Sequence, residues 1–216
     1  YFDPNSISHE SMIDWFYGQH EIQLAQNNYY LKMRSTIPND ATFTSQWHHN
    51  NTGQTGGTTD ADIDSDLAWD ITTGGTTASG HDIVVCLIES GNLDHQDLSP
   101  NRWVNPNEIE NNGVDDDGNG YVDDYNGYDV ADNDNNPSPP NTNLDHGTHV
   151  AGISGAQTNN NIGVASIGFG ISVMPVKATR DNNLNGTINN AYDGVYYAAL
   201  NGADVINCSW GSSSFS

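Results

Sequence analysis

The sequence predicts an α/β fold in which helices cover both faces of a parallel sheet. Continuous apolar runs are typical of strands buried on both faces, and three such runs lie at 81–91, 171–177 and 203–211. A helical pattern occupies 187–202, between the last two runs. Strand, helix and strand joined by short connections form a βαβ unit, whose two strands run parallel.

Residues 1–36 differ in pattern from the rest of the chain. Ser8 is placed to cap a short helix whose apolar contacts would come from Met12, Ile13, Trp15 and Phe16. The stretch at 21–34 alternates apolar and polar residues, which predicts a strand or a hairpin. One helix and one or two strands cannot bury a core alone, so this segment must lean on another part of the protein or be a remnant.

The elements of 37–216 follow a polar, turn-rich stretch in which 64–69 is predicted to form a short helix. The longer helix is predicted from residues at helical spacing, namely Ile188, Ala191, Val195 and Ala199. Gly202 is placed to end that helix. Ligands of parallel sheets gather at the carboxyl ends of strands, which here are 89–91 and 209–211.

The composition limits the partners and the location. Five basic and 28 acidic side chains give a formal charge of -23, which repels nucleic acid and anionic lipid and argues against both as partners. The acidity is explained either by divalent cations bound to clustered carboxylates or by adaptation to saline surroundings. No run approaches the roughly 18 apolar residues of a membrane span. The first residues lack the basic start and apolar stretch of a signal peptide, so the protein is either cytoplasmic or has lost an export signal.

The two cysteines, Cys86 and Cys208, both lie in apolar runs. Such runs usually become core strands, so free buried thiols are predicted rather than a disulfide.

An acidic loop at 107–129 has the spacing of a calcium site. The first, third, fifth, sixth, seventh and ninth places of an EF-hand-type loop are occupied by Asp115, Asp117, Asn119, Gly120, Tyr121 and Asp123. Calcium needs six to eight oxygen ligands around a tight turn, and this pattern supplies carboxylates, a glycine and a backbone carbonyl. The twelfth place is Asn126, so the closing bidentate ligand is absent or comes from elsewhere. The alternative is a solvated acidic loop without a metal.

A second acidic cluster follows, formed by Asp129, Asp132 and Asp134 with the carbonyls of Asn136 and Ser138 nearby. Its spacing alone does not distinguish a calcium site from an exposed acidic turn.

The stretch DHGTHVAG at 145–152 contains His146 and His149, for which metal binding, catalysis and packing are all possible roles. Zinc is disfavoured, because Gly147 and Thr148 stand between the histidines and no later histidine offers a third ligand. His149 precedes an apolar helical run, so packing is a simple interpretation of its role.

DHGTHVAG resembles the histidine motif of the subtilisin-like serine proteases, the subtilases. Three other segments agree in order: 38–74 resembles the N-terminal run of thermitase-like members, 84–98 the aspartate motif, and 204–214 the strand carrying a substrate-binding Ser-x-Gly. The resemblance implies that 37–216 is the N-terminal half of a catalytic domain with an incomplete subtilisin-like sheet. Residues 1–36 resemble the tail of the inhibitory propeptide.

The resemblance also implies the role of each site residue. His146 takes the general-base position, whereas His149 is structural. An extended peptide substrate would pair with two edges, formed by Leu184, Asn185 and Gly186 and by Ser209, Trp210 and Gly211. Thermitase-like enzymes bind calcium at an Asp-x-x-Asp-x-Asp like that of the second cluster. A further calcium site is implied at Asp40, Asp97 and Asn160 with the carbonyls of Gln157, Ile162 and Val164.

Two departures qualify the resemblance. Glu89 stands where the family has aspartate, and its extra methylene reaches further, so Glu89 is either a working variant or a disabling change that misplaces the imidazole unless the backbone retreats. The sequence to Ser216 also lacks the family's nucleophile and oxyanion motifs, so the chain alone is expected to be inactive. The predicted function is a secreted, calcium-stabilised serine endopeptidase whose missing C-terminal half is a partner of this chain. The alternative is a non-catalytic calcium-binding pseudoprotease module.

Overall fold

The computed structural model describes residues 7–25, 35–89, 91, 93–141 and 144–211, in two compact units, Tyr1–Arg34 and Ser35–Ser216. In the first unit, the predicted helix is confirmed as α1, His9–Tyr17, and the Ser8 hydroxyl accepts a hydrogen bond from Ser11 N. No α1 residue is buried within the described part of the chain. Most of the strand predicted at 21–34 lies outside the described residues, and 21–25 contains no strand.

The second unit contains a parallel sheet, which confirms the predicted fold class. Its described strands are β1, Val84–Glu89; β2, Tyr128–Asp129; β3, Ser172–Lys177; and β4, Val205–Asn207, in the order β2-β3-β1-β4. Its helices are α2, Ser65–Ala68; α3, His146–Gly155; and α4, Ala191–Leu200. Pairing in register sets Glu89 of β1 beside Lys177 of β3, so both strands end at the same level of the sheet.

The two faces of the sheet are covered by different helices. On one face Cys86 and Ile88 pack with Tyr197 and Ala198 of α4. On the other face Leu87 and Val173 pack with Ala151 of α3. This alternation along β1 follows from the two-residue period of a strand, and it produces the two covered faces that the apolar runs predict.

The helix predicted near 188–199 is confirmed as α4, but its buried face differs from the predicted pattern. Gly194, Tyr197 and Ala198 are buried, whereas Ile188 lies before the helix and Ala199 is exposed. The reason is close packing, because a Cβ at Gly194 would lie only 2.8 Å from Ile88 Cγ2. Gly202 has a φ of 78° just after α4, in the left-handed region that favours glycine at the end of a helix.

A separate small core lies beneath the turn-rich segment and contains a buried histidine. Phe43, Trp69 and Ala165 are buried there, and the His49 ring stacks on Phe43 with its centroid 5.9 Å away. His49 Nδ1 lies 2.8 Å from Ser65 Oγ, and Nε2 lies 3.2 Å from the Ala165 carbonyl oxygen. Burial, together with neighbouring His48, lowers the pKa of His49 to about 4.

The predicted free thiols are confirmed for both cysteines, and the prediction that both are buried is wrong for Cys208. Cys86 lies inside β1, whereas Cys208 follows β4, the last described strand at one edge of the sheet. None of the helices in the described ranges has the length and apolar character needed to cross a membrane.

Candidate active site

An acid–base pair lies where β1 meets α3. His146 is the first residue of α3, and its Nδ1 lies 2.9 Å from Glu89 Oε2 at the end of β1. The Glu89 side chain is 7% exposed, whereas that of His146 is 61% exposed. An ionised carboxylate only accepts hydrogen bonds, so Nδ1 carries the proton and Nε2 remains an acceptor. This is the arrangement that a general base requires.

Gly91 lies very close to the backbone at the start of α3. A Cβ at Gly91 would overlap the backbone of Gly147 and of Thr148. Only a residue without a Cβ can lie at position 91 against the start of α3, which carries His146. The short distance between Glu89 and His146 therefore depends on a main-chain contact.

The second carboxylate oxygen of Glu89 is also held. Glu89 Oε1 accepts a hydrogen bond of 3.1 Å from Ser209 N, in the segment after β4. The longer acid thus reaches the imidazole with one oxygen and a backbone amide with the other. This double contact orients Glu89 without a shift of β1, which remains in register with both neighbouring strands.

Four of the six predicted substrate-binding residues line a cavity of about 320 Å³ beside this pair. Asn185 and Gly186 line one side, and Ser209 and Trp210 line the other. Leu184 is 66% exposed and Gly211 is exposed, and neither lines the cavity. The segment 184–186 forms a turn with Gly186 at a φ of 70°, and Trp210 Nε1 donates to the Ile88 carbonyl oxygen at 2.9 Å.

Two apolar residues of the cavity wall, Leu144 and Ile188, are additional to the sequence prediction. The sequence pattern assigns Ile188 to the buried face of the predicted helix. In the structure α4 begins at Ala191, so Ile188 precedes it and lines the cavity instead.

His149, the second histidine of the motif, has a different setting. Its amide donates to the Asp145 carbonyl oxygen at 3.0 Å within α3, but the residue is exposed. The helical position is confirmed and the packing interpretation is wrong, because this position of α3 does not face the sheet. Neither histidine belongs to a group of metal-capable side chains in the described ranges.

The acidic loop brings three carboxylates together, which we call the acidic-loop triad: Glu108, Asp115 and Asp117. Their ligand atoms lie within 4.8 Å of one another. Glu108 is 5% exposed, and its Oε1 accepts hydrogen bonds from Asp116 N at 2.8 Å and Asp117 N at 3.2 Å. Glu108 Oε2 is buried and has no hydrogen-bond partner among the described residues. Burial raises the pKa of Glu108, although the two amides oppose the shift.

The other predicted ligands of this loop do not belong to the triad. Asp123 accepts hydrogen bonds from Asn112 N and Gly113 N, at 2.8 and 2.9 Å, so its carboxylate is already engaged. The Asn119 side-chain oxygen accepts from Tyr121 N at 2.8 Å. Glu108 thus joins Asp115 and Asp117 as a third carboxylate. The sequence reasoning missed Glu108, because no spacing rule separates it from exposed Glu110.

The residues of the further predicted calcium site also lie together. Asp97 accepts hydrogen bonds from Asn160 Nδ2 at 2.8 Å and from Val164 N at 2.9 Å, and its carbonyl oxygen accepts from Gln157 N at 2.8 Å. Asp40 Oδ2 accepts from Asn159 N at 2.8 Å, and Ile162 lies in the same loop. Asp40 is 5% exposed, and its Oδ1 is buried without a partner in the described structure.

The second acidic cluster surrounds a lysine. Asp129, Asp132 and Asp181 form what we call the lysine triad, because Lys177 Nζ contacts all three carboxylates. Asp134, by contrast, accepts a hydrogen bond from Asn136 N at 2.9 Å. Burial lowers the pKa of Lys177, but the hydrogen bonds to Asp129 and Asp181 outweigh it and leave that pKa above its ordinary value.

Sequence comparison relates this chain to serine proteases. Residues 80–216 match the family model described as Peptidase S8, the subtilase family. A thermophilic serine proteinase of Bacillus sp. (strain AK1) is 37% identical over 148 residues, which cover 68% of this chain and 29% of that protein. Thermitase of Thermoactinomyces vulgaris is 42% identical over 84 residues, covering 39% and 29%. An extracellular basic protease of Dichelobacter nodosus is 31% identical over 191 residues, covering 81% and 29%. The chain spans less than a third of the length of these relatives.

Solved structures show the same fold. A serine protease of Aeromonas sobria, crystallised with its chaperone, gives a TM-score of 0.60 at 20% identity, covering 84% of this chain and 27% of that chain. A protease of Pseudoalteromonas arctica gives a TM-score of 0.54 at 28% identity, covering 84% and 53%.

Proposed function

Because this chain belongs to the subtilase family, we propose that it is the N-terminal part of the catalytic domain of a secreted, calcium-stabilised serine endopeptidase. The hydrogen bond between Glu89 and His146 is the observation that carries this proposal. The nucleophile and the oxyanion donors then belong to a C-terminal part outside this chain, which is its obligatory partner. The limited coverage of the relatives supports this division.

In this proposal His146 is the general base and Glu89 its positioning acid. Nε2 accepts the proton of the nucleophile and later donates it to the leaving amine. The carboxylate of Glu89 holds the required tautomer and stabilises the imidazolium that forms. The Ser209 amide donates a hydrogen bond to the oxygen of Glu89 that does not contact the imidazole, and so helps to orient the carboxylate.

The substrate is proposed to be an extended peptide that enters between 184–186 and 209–211. Backbone groups of both segments would pair with it, and the apolar walls of the cavity would accept a side chain. The cavity borders His146, which supports this path.

Calcium is proposed at the acidic-loop triad and at the site of Asp40 and Asp97. The donors fit the ion, because both sites offer hard oxygen ligands and each holds a buried carboxylate oxygen without a described partner. Asp115, Asp117 and Glu108 would hold the first ion, and Asp40, Asp97 and Asn160 the second, joined by loop carbonyls. Each ion would neutralise buried charge and so stabilise the folded state.

Secretion and a propeptide complete the proposal. Relatives from Dichelobacter nodosus and Xanthomonas campestris are named as extracellular proteases, which supports an extracellular location. The first compact unit ends at Arg34, close to the sequence boundary at 36, and is proposed to be the tail of an inhibitory propeptide.

Peptide hydrolysis by the whole protein tests the proposal. Glu89→Gln keeps the shape of the side chain but favours the wrong tautomer, and should lower kcat by about 10³- to 10⁴-fold. His146→Ala should lower kcat similarly, whereas His149→Ala, an exposed neighbour on α3, should retain activity and serves as the matched control.

Glu89→Asp separates the proposal from the pseudoprotease alternative. A shorter acid cannot keep both contacts of Glu89 without movement of β1, so this variant should lose activity. If the wild-type protein is inert and Glu89→Asp becomes active, Glu89 is a disabling change and the proposed catalytic role is wrong.

A further inference from the structure

We propose that Lys177 is the resident cation of the lysine triad, so that this cluster takes no calcium ion until the lysine is removed. The assignment rests on the described contacts of Lys177 and does not depend on peptidase activity.

The geometry encloses the ammonium group. Lys177 is 1% exposed, and its Nζ donates to Asp129, which is fully buried, and to Asp181 Oδ1 at 2.8 Å. Asp132 Oδ2 lies 3.6 Å from the same nitrogen. An ammonium group has three donors, and here three carboxylates surround it.

Two oxygens of the triad also accept hydrogen bonds from backbone amides. Asp129 Oδ1 accepts from Ala131 N at 2.8 Å and from Asp132 N at 3.1 Å. Asp132 Oδ2 accepts from Asp181 N at 2.6 Å. Unlike Glu108 and Asp40, no carboxylate of the lysine triad has a buried oxygen without a partner in the described structure.

Calcium and the lysine compete for one position. Calcium requires six to eight oxygens at about 2.3–2.6 Å, converging on a point. In the lysine triad that point is next to Nζ, and a divalent ion there would meet a positive charge at close range. The resemblance to thermitase-like enzymes implies a calcium site here, but the lysine supplies the cation from the neighbouring strand β3.

Removing the lysine should therefore create a calcium site. In the whole protein, Lys177→Met retains the length of an unbranched side chain and leaves three carboxylates without their cation. We expect it to bind one more calcium ion per molecule than the wild type, measured by calorimetric titration after chelator treatment. Its melting temperature should fall in chelator and recover in millimolar calcium. Arg180→Met, at an exposed position three residues on, removes the same charge outside the triad and should add no site.

A second variant decides the question even if Lys177→Met fails to fold. Asp132→Asn in the wild-type background should leave the number of bound calcium ions unchanged, because Lys177 holds the position. A loss of one ion, or a tenfold weaker site, would show that calcium binds the triad in the presence of the lysine and would overturn the proposal. A folded Lys177→Met protein that gains no ion would overturn it as well.

Discussion

The acidic-loop triad and the lysine triad contain the same type of residue and differ in how their charge is balanced. Glu108 has a buried oxygen without a described partner, whereas Asp129 is hydrogen-bonded to Lys177 and to two backbone amides. Buried carboxylates are costly unless they are paired. The lysine triad is therefore neutralised by Lys177 on a neighbouring strand. The acidic-loop triad instead has the features of a site that binds a cation from solution.

The difference teaches that the spacing of acidic residues is an incomplete guide to metal sites. Both clusters show aspartates at short intervals in the sequence. What separates them is a single basic residue almost fifty positions away, brought beside Asp129 by the pairing of β2 with β3. Long-range pairing thus decides whether a local acidic pattern needs a metal.

The largest expected effect is that of calcium removal. Each of two proposed sites would contribute about 2.7 kcal/mol at calcium concentrations 100-fold above its Kd. For a domain of this size, the melting temperature in excess chelator should be lower by about 10 °C or more than in millimolar calcium. Differential scanning calorimetry measures the shift, and equal melting temperatures would contradict calcium binding at the acidic-loop triad.

Glu108→Gln should have the next largest effect, with a sign that depends on calcium. In millimolar calcium the loss of a carboxylate ligand should destabilise the protein by about 2 kcal/mol, most of the contribution of one site. In chelator the same change should be neutral or stabilising, because it removes a buried negative charge, one oxygen of which has no described partner. Denaturant unfolding under both conditions measures the difference.

Glu110→Gln is the matched control for Glu108, since it changes an exposed residue of the same loop. Its effect should be within about 0.5 kcal/mol in both conditions. An equal loss of stability in calcium and in chelator for Glu108→Gln would assign Glu108 a packing role only.

The last expected effect is of similar size but occurs only at acid pH, and it limits the pH range in which the two triads can be compared. His49 has its pKa lowered to about 4 in the folded state, against an ordinary value of about 6.5, so the unfolded state binds its proton first as the pH falls. Stability is therefore retained above about pH 6.5 and lost towards pH 4. Between pH 7.5 and 5 the loss should be about 2 kcal/mol.

His49→Gln should remove this part of the pH dependence, measured by unfolding at several pH values. If the stability of His49→Gln depended on pH as steeply as that of the wild type, other groups would cause the acid sensitivity.

The fold was largely predictable because its signals are local. The apolar runs of β1 and β3 and the capping role of Ser8 depend on neighbouring residues, and each is found where the sequence indicates it. The buried face of α4 was not predictable, because Gly194 is buried by close contact with Ile88 rather than by its own hydrophobicity.

The site was predictable only where a motif marks it. DHGTHVAG draws attention to His146, but no local pattern indicates that Glu89 would also reach Ser209 N. The roles of Glu108 and Lys177 were not predicted for the same reason, since they depend on contacts that form only when the chain folds. The identities of ligands and countercharges are properties of tertiary structure.

The contact between Gly91 and Gly147 has a consequence for turnover. Two stretches of main chain, rather than two flexible side chains, set the spacing of acid and base, so the pair is preorganised before a substrate arrives. The side chains of Glu89 and His146 would then lose little rotational freedom on reaching the transition state. An alanine at position 91 would push these stretches apart and so lower the rate of the proposed reaction, although Glu89 and His146 themselves would be unchanged.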